Sequence, residues 1–293
     1  MIYDASGNIL IENSETPYPE ADCRTAFMAE VNKKAASIGM SNSSFVSPAG
    51  ASLTAQTTAA DMALLTMIAS CYKELAEVWS KDSYVVTPRN RSATITLTST
   101  VKNATLENSY PILGGKTGSY GGSRALACVC DVSGKQVAGY IAGTSSDADR
   151  FNAMKELMDI ASTIIGGGST TATVTKATSA VALLVPNYYT LNYEQQTPTN
   201  IYTQSGSTLI VPASTAKIIT AVTMLDWVTD VNKTFKFVSS DNIGGSGAVF
   251  NTGDVISFKD ALYALMLPSS NMTAQAVARV VGQIILNRNG SQE

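Results

Sequence analysis

Between residues 166 and 179 the chain reads GGGSTTATVTKATS. A run so rich in glycine, threonine and serine has no apolar face to bury and reads as a linker. It divides 293 residues into two patterned blocks. The length suits one large domain or two smaller ones, with a sizeable core in either case. Any fold proposed for this chain has to place both blocks.

The first block opens with a hairpin pattern at 2–12, apolar runs flanking Ser6-Gly7-Asn8. Residues 22–39 read as a helix, with Phe27, Val31 and Ala35 at four-residue spacing. Residues 41–52 read as a loop, 54–79 as largely helical, and 92–100 as an alternating strand. After the glycine-rich 114–123, residues 124–143 read as two strands about Ser133-Gly134, and 147–165 as an amphipathic helix. Beyond the linker, 180–185 is strand-like and a helix starts near Ser214. Residues 256–267 and 271–285 are further helices. Strands flank helices in both blocks, so an α/β or α+β sandwich is expected.

Apolar residues are 45% and charged residues 15%, a globular balance. The net charge of −3 leaves no basic footprint for nucleic acid and no polybasic face for an anionic membrane. No apolar run approaches the roughly 18 residues of a membrane span. The N-terminus lacks the charged and apolar regions of a signal peptide. Cys23, Cys71, Cys128 and Cys130 form no CxxC, and with no histidine present they complete no common zinc set. Cys128 and Cys130 share one face of a strand and read as small buried residues.

The chemistry centres on VPASTAKIIT, residues 211–220. Ser214 precedes Lys217 by three residues at the start of a helix, so both side chains lie on one face. The helix start offers unpaired amide N–H groups and a positive dipole end. These suit an activated hydroxyl and an oxyanion site. The chain has no histidine to take the proton. A buried lysine loses its own proton readily, so Lys217 is the candidate base. Taken alone, the motif is also what a helix-capping serine with a surface lysine would look like.

Two further motifs alter that balance. LPSSNMTA carries Ser269-x-Asn271 between two helical segments, and ILGGKTGSYGGSR carries Lys116-Thr117-Gly118 ahead of a strand. Singly they are a capping loop and a glycine turn. Together, SxxK, SxN and KTG form the constellation of serine β-lactamases and penicillin-binding proteins.

With these motifs the chain resembles the serine D-alanyl-D-alanine carboxypeptidases, the low-molecular-mass penicillin-binding proteins. Residues 245–274 are similar to the family segment leading into SxN, and 27–50 to the segment following it. The resemblance implies a β-lactamase/transpeptidase-like antiparallel sheet flanked by helices. It implies Ser214 as nucleophile, Lys217 as base, and Ser269 with Lys116 as relay to the leaving amine. The neighbouring Lys116 would also lower the pKa of Lys217. Asn271 would hold the acyl chain, Thr117 and Ser119 the substrate carboxylate, and Gly118 would give room along the strand edge. Arg124 reads equally as a carboxylate contact or a strand-end charge, Tyr120 as pocket lining or packing, and Asp61 as helix capping. The implied substrate is a peptidoglycan stem peptide, with β-lactams as inhibitors and no cofactor or metal. An extracytoplasmic location follows from that substrate.

The motif order departs from the family's, which runs SxxK, SxN, KTG. Swapping the blocks at the linker restores it, so the chain is expected to be a circular permutant forming one domain. Residues 1–165 would be the family's C-terminal half with an extra hairpin at 1–21, 166–178 the bridge, and 179–293 the N-terminal half. Residues 1–14 and 180–212 compete for one hairpin position. The former is expected to add or replace strands at a sheet edge, or to swap between two chains. Alternative functions on the same scaffold are a β-lactamase, an esterase, or a non-catalytic binder of β-lactam or peptidoglycan.

Overall fold

A computed structural model describes residues 2–3, 9–11, 18–186 and 198–290. In chain order its strands and helices are β1 (Ile2–Tyr3), β2 (Ile9–Ile11), α1 (Glu20–Ser37), β3 (Thr57–Thr58), α2 (Ala59–Ala69) and α3 (Lys73–Trp79). Next come β4 (Ser83–Val86), β5 (Ile95–Thr98), α4 (Ala104–Glu107), β6 (Ile112–Tyr120), β7 (Ser123–Val132), β8 (Lys135–Thr144) and α5 (Asp147–Ile165). After the linker come β9 (Ser179–Leu184), β10 (Thr199–Gln204), β11 (Leu209–Ile210), α6 (Lys217–Trp227), β12 (Thr234–Lys236), β13 (Val255–Ser257), α7 (Phe258–Met266) and α8 (Asn271–Gly290).

The main sheet is antiparallel with five strands in the order β10-β9-β8-β7-β6. Three strands precede the linker and two follow it. Both faces are covered, and the period of two in each strand serves both. Leu126, Cys128, Cys130 and Ile141 pack against Phe151, Met154 and Leu157 of α5. Ala127, Val129 and Tyr140 on the other face join the core of α1, α2, α6 and α8. The helix layer also mixes the blocks. α1 crosses α8 so closely that a Cβ at Gly282 would fall 1.8 Å from the Cys23 carbonyl oxygen.

The mixed helix and sheet class expected from the sequence is the one observed. The tight turn at Ser133-Gly134 joins β7 to β8, both residues having positive φ as a two-residue hairpin requires. Residues 54–79 are largely helical as read, in two helices, α2 and α3, interrupted at Ser70–Tyr72. Two other local readings need correction. Residues 255–257 are a strand whose Ser257 caps α7 by accepting from the Asp260 N–H at 3.0 Å. The glycine-rich segment ahead of β7 is itself a strand, β6. Its glycines are accommodated because neighbours press close to its backbone.

The two segments competing for one hairpin position take different places. β9 and β10 pair in the main sheet, whereas β1 pairs antiparallel with β12, giving a second sheet β13-β12-β1-β2. The Ser6-Gly7-Asn8 turn and residues 187–197 lie outside the described residues. All four cysteines are free thiols; Cys128 and Cys130 are fully buried, with sulfurs 3.5 Å apart.

Candidate active site

Ser214 stands in a 3₁₀ turn, Ala213–Ala216, which runs directly into α6 at Lys217. The regular α-helix therefore begins three residues later than Ser214. In a 3₁₀ turn the side chains at i and i+3 eclipse, which brings Ser214 and Lys217 onto one line. Ala213 enters the turn with φ at +49°, a conformation non-glycine residues seldom adopt. Such a strained residue next to a reactive group is a common feature of functional sites.

Lys217 is fully buried and its amine reaches three oxygens: Ser214 Oγ at 3.0 Å, the Ala49 carbonyl at 3.0 Å and Asn271 Oδ1 at 2.8 Å. These saturate the three donors of an ammonium, yet all three partners are neutral. Burial without a counter-charge disfavours the charged form and lowers the Lys217 pKa to about 7. The sequence reading attributed part of this shift to the second lysine. In the structure burial accounts for Lys217, and the repulsion bears on Lys116. That lysine lies well below its ordinary value through burial first, then the charges of Lys217 and Arg150.

Asn271 is the first residue of α8. Its N–H donates to the Ser246 carbonyl at 3.0 Å and its Nδ2 to the Gly244 carbonyl at 3.3 Å, which turns Oδ1 toward Lys217. Ser270 holds this corner by donating to the Ala248 carbonyl while its oxygen accepts the Thr273 N–H. Ser269 sits at φ +69°, and among the described residues its buried hydroxyl has no hydrogen-bond partner. An unpaired buried hydroxyl is costly and calls for an explanation such as catalysis or a bound molecule.

The third motif lies on β6, at the edge of the main sheet. Lys116 is wholly buried, its amine donating to the Thr117 carbonyl at 3.0 Å. The Thr117 hydroxyl is 2.8 Å from that of Thr100. Gly118 passes directly beneath the Ala213–Ala216 turn. A Cβ there would lie 3.1 Å from the Pro212 oxygen and from Thr215 Cγ2. Ser119 is exposed at the end of this contact.

Sequence reasoning weighed Arg124 near this strand and missed Arg150. The guanidinium of Arg150 is buried, donating to the Gly118 carbonyl at 3.2 Å, the Ala125 carbonyl at 3.4 Å and Ser119 Oγ at 3.3 Å. It also pairs with Asp147, which Arg124 contacts from the surface at 3.2 Å. The available signal was an arginine on the apolar face of α5, next to Phe151 and one turn before Met154. Tyr120 lines a cleft of about 360 Å³ that opens beside the turn, together with Gly118 and Ala213. Asp61 accepts from Asn42 N at 2.9 Å and Ser43 Oγ at 2.7 Å, tying a loop to α2, whose cap is Thr58.

The structure thus joins Ser214, Lys217 and Asn271 by hydrogen bonds and lays β6 against their turn. Among the described residues, Ser269 Oγ has no hydrogen-bond partner and Lys116 donates to the Thr117 carbonyl rather than to Ser214. Burial disfavours the charged form of both lysines, Arg150 is paired with Asp147, and the oxygens that Lys217 reaches include no carboxylate. No helix among the described residues is long and apolar enough to cross a membrane. The family model for D-alanyl-D-alanine carboxypeptidase matches residues 21–155, a span that holds Lys116–Ser119 and Arg150. Comparisons with curated proteins and with solved structures gave no match.

Proposed function

From the premise that residues 21–155 belong to the D-alanyl-D-alanine carboxypeptidase family, we propose that this chain cleaves the terminal D-Ala-D-Ala bond of peptidoglycan stem peptides through an acyl-enzyme on Ser214. The observation that carries the reading is the Lys217 amine. It is buried among neutral partners, 3.0 Å from Ser214 Oγ, with its pKa lowered to about 7. In its neutral form this amine accepts the Ser214 proton as the oxygen attacks the scissile carbonyl.

The negative charge that develops on the carbonyl oxygen is met by the backbone N–H groups of Ser214 and Ser119. A preorganised pair of this kind is worth a few kcal/mol. Ser269 then relays the proton from Lys217 to the leaving D-alanine amine, with Lys116 beside the path. Asn271, oriented by Gly244 and Lys217, binds the acyl chain. Thr117 and Ser119 bind the terminal carboxylate, with Arg150 positioning Ser119 from behind. Gly118 lets the substrate lie along the β6 edge as an added strand. Water releases the acyl group and restores Ser214. A β-lactam enters the same path and is held as the acyl-enzyme, because its leaving amine stays tethered to the acyl group in the opened ring.

The reading includes an extracytoplasmic place of action, where the substrate lies, and a permuted chain order bridged by residues 166–178. Its test is intact mass after incubation with benzylpenicillin, for the parent and for Ser214→Ala. A stable adduct on the parent alone is expected. Rapid loss of antibiotic without an adduct would identify a β-lactamase instead. Neither adduct nor loss would mean that the site does not turn over.

A further inference from the structure

Strand β8 runs through the middle of the main sheet, and Tyr140 on it joins the core shared by α1, α2, α6 and α8. A phenylalanine would fill that place as well by packing alone. The tyrosine adds a hydroxyl that is fully buried and lies 3.2 Å from Thr215 Oγ1, inside the Ala213–Ala216 turn. The direction of this bond follows from proton counting. The Thr215 hydroxyl has one proton and donates it to the Pro212 carbonyl, which also accepts the Thr215 N–H at 3.2 Å. Tyr140 is therefore the donor and Thr215 Oγ1 the acceptor. Burial raises the Tyr140 pKa to about 12, so the phenol keeps that proton.

The turn that this bond reaches is one that local geometry does not favour. Ala213 has φ at +49°, and such a conformation persists only where its surroundings over-determine it. From the loop side Gly50 presses on it: a Cβ there would lie 1.8 Å from the Ala213 carbonyl oxygen. From the sheet side Gly118 makes a close contact and Tyr140 a directed bond. Thr215 follows Ser214 immediately, so a shift at Thr215 moves the Ser214 Oγ that lies 3.0 Å from Lys217 Nζ. We propose that Tyr140 is a positioning residue: its hydroxyl, acting through Thr215 and Pro212, holds the turn where Ser214 meets Lys217. The inference rests on the proposed Ser214 reaction and extends the machinery it needs to the middle of the sheet.

Acylation by benzylpenicillin, followed by intact mass over a range of concentrations, separates the limiting rate from the half-saturating concentration. Tyr140→Phe keeps the ring and removes the hydroxyl. It should lower the limiting rate about tenfold, part of what an ångström of misplacement costs, and leave the half-saturating concentration within about twofold. Tyr140→Phe is then repeated on Thr215→Ser, which keeps the acceptor, and on Thr215→Val, which removes it. The fall in limiting rate should recur on the serine background and vanish on the valine one. A hydroxyl that serves stability alone would lower the melting temperature of Tyr140→Phe and leave its limiting rate at the parent's value, which would overturn the proposal. An equal fall on the valine background would also overturn it, since the effect would not then pass through Thr215. A folded parent that forms no adduct would instead remove the Ser214 reaction, and the role of Tyr140 with it.

Discussion

Lys217 is the proposed general base in a chain that has no histidine. Its amine is fixed by a hydroxyl, a carbonyl and an amide oxygen, and none of these stabilises the positive charge as a carboxylate would. Burial then lowers its pKa to about 7. The neutral amine is the reactive form and predominates above that value. Acylation of Ser214 by benzylpenicillin should therefore fall about tenfold per pH unit below pH 7 and level off above it, as rate-against-pH measurements would show. A base retaining an ordinary lysine value would give a rate still climbing at pH 9. Lys217→Ala should slow acylation by at least about a hundredfold. It also strands Asn271 Oδ1 and the Ala49 carbonyl, so a lower melting temperature should accompany the loss.

At the scale of elements, the decisive contact is β6 against the 3₁₀ turn. Gly118 is the residue that permits it, because the Pro212 oxygen and Thr215 stand where a Cβ would need room. Arg150 secures the same strand from α5 through the Gly118 carbonyl and Ser119. Gly118→Val should push the strand from the turn and separate the Ser119 N–H from that of Ser214. A displacement of about an ångström is enough to cost roughly a hundredfold. The expected result is slow acylation in a protein whose circular dichroism is unchanged. Normal acylation in this variant would show that β6 does not shape the reacting geometry.

At the scale of the molecule, the two blocks are interleaved. Strands on both sides of the linker share one sheet, and α1 from the first block lies along α8 from the second. The proposed catalytic set is divided the same way, with Lys116 to Ser119 in the first block and Ser214, Lys217, Ser269 and Asn271 in the second. Residues 166–173 are exposed throughout, while Val174 and Thr175 are tied to Gln204 and Glu156. A protease site placed within 166–173 and then cut should leave both pieces co-eluting in size exclusion. The penicillin adduct should form on the piece that begins after the cut. Separation of the pieces with loss of acylation would show that the bridge is needed to hold the halves, contrary to the permuted reading.

The spacing of Ser214 and Lys217, the SxN and KTG motifs, and the period-two runs of β7 and β8 could all be read from the sequence. Each is local: contact within one turn, or alternation along one strand, follows from backbone geometry alone. The partners of Arg150 could not be read, because Gly118, Ser119 and Ala125 lie 25 to 32 residues away. β6 was hidden because glycine is a poor strand former until close neighbours give it a reason. The separate places of β1–β2 and β9–β10 were hidden because both hairpins carry the same local pattern. By itself the sequence determined which residue types are candidates for the chemistry and, for Ser214 and Lys217, that they sit at a helix start. Only the tertiary structure decided that Lys217 is enclosed by neutral oxygens and stripped of water, since burial is a property of the packed whole.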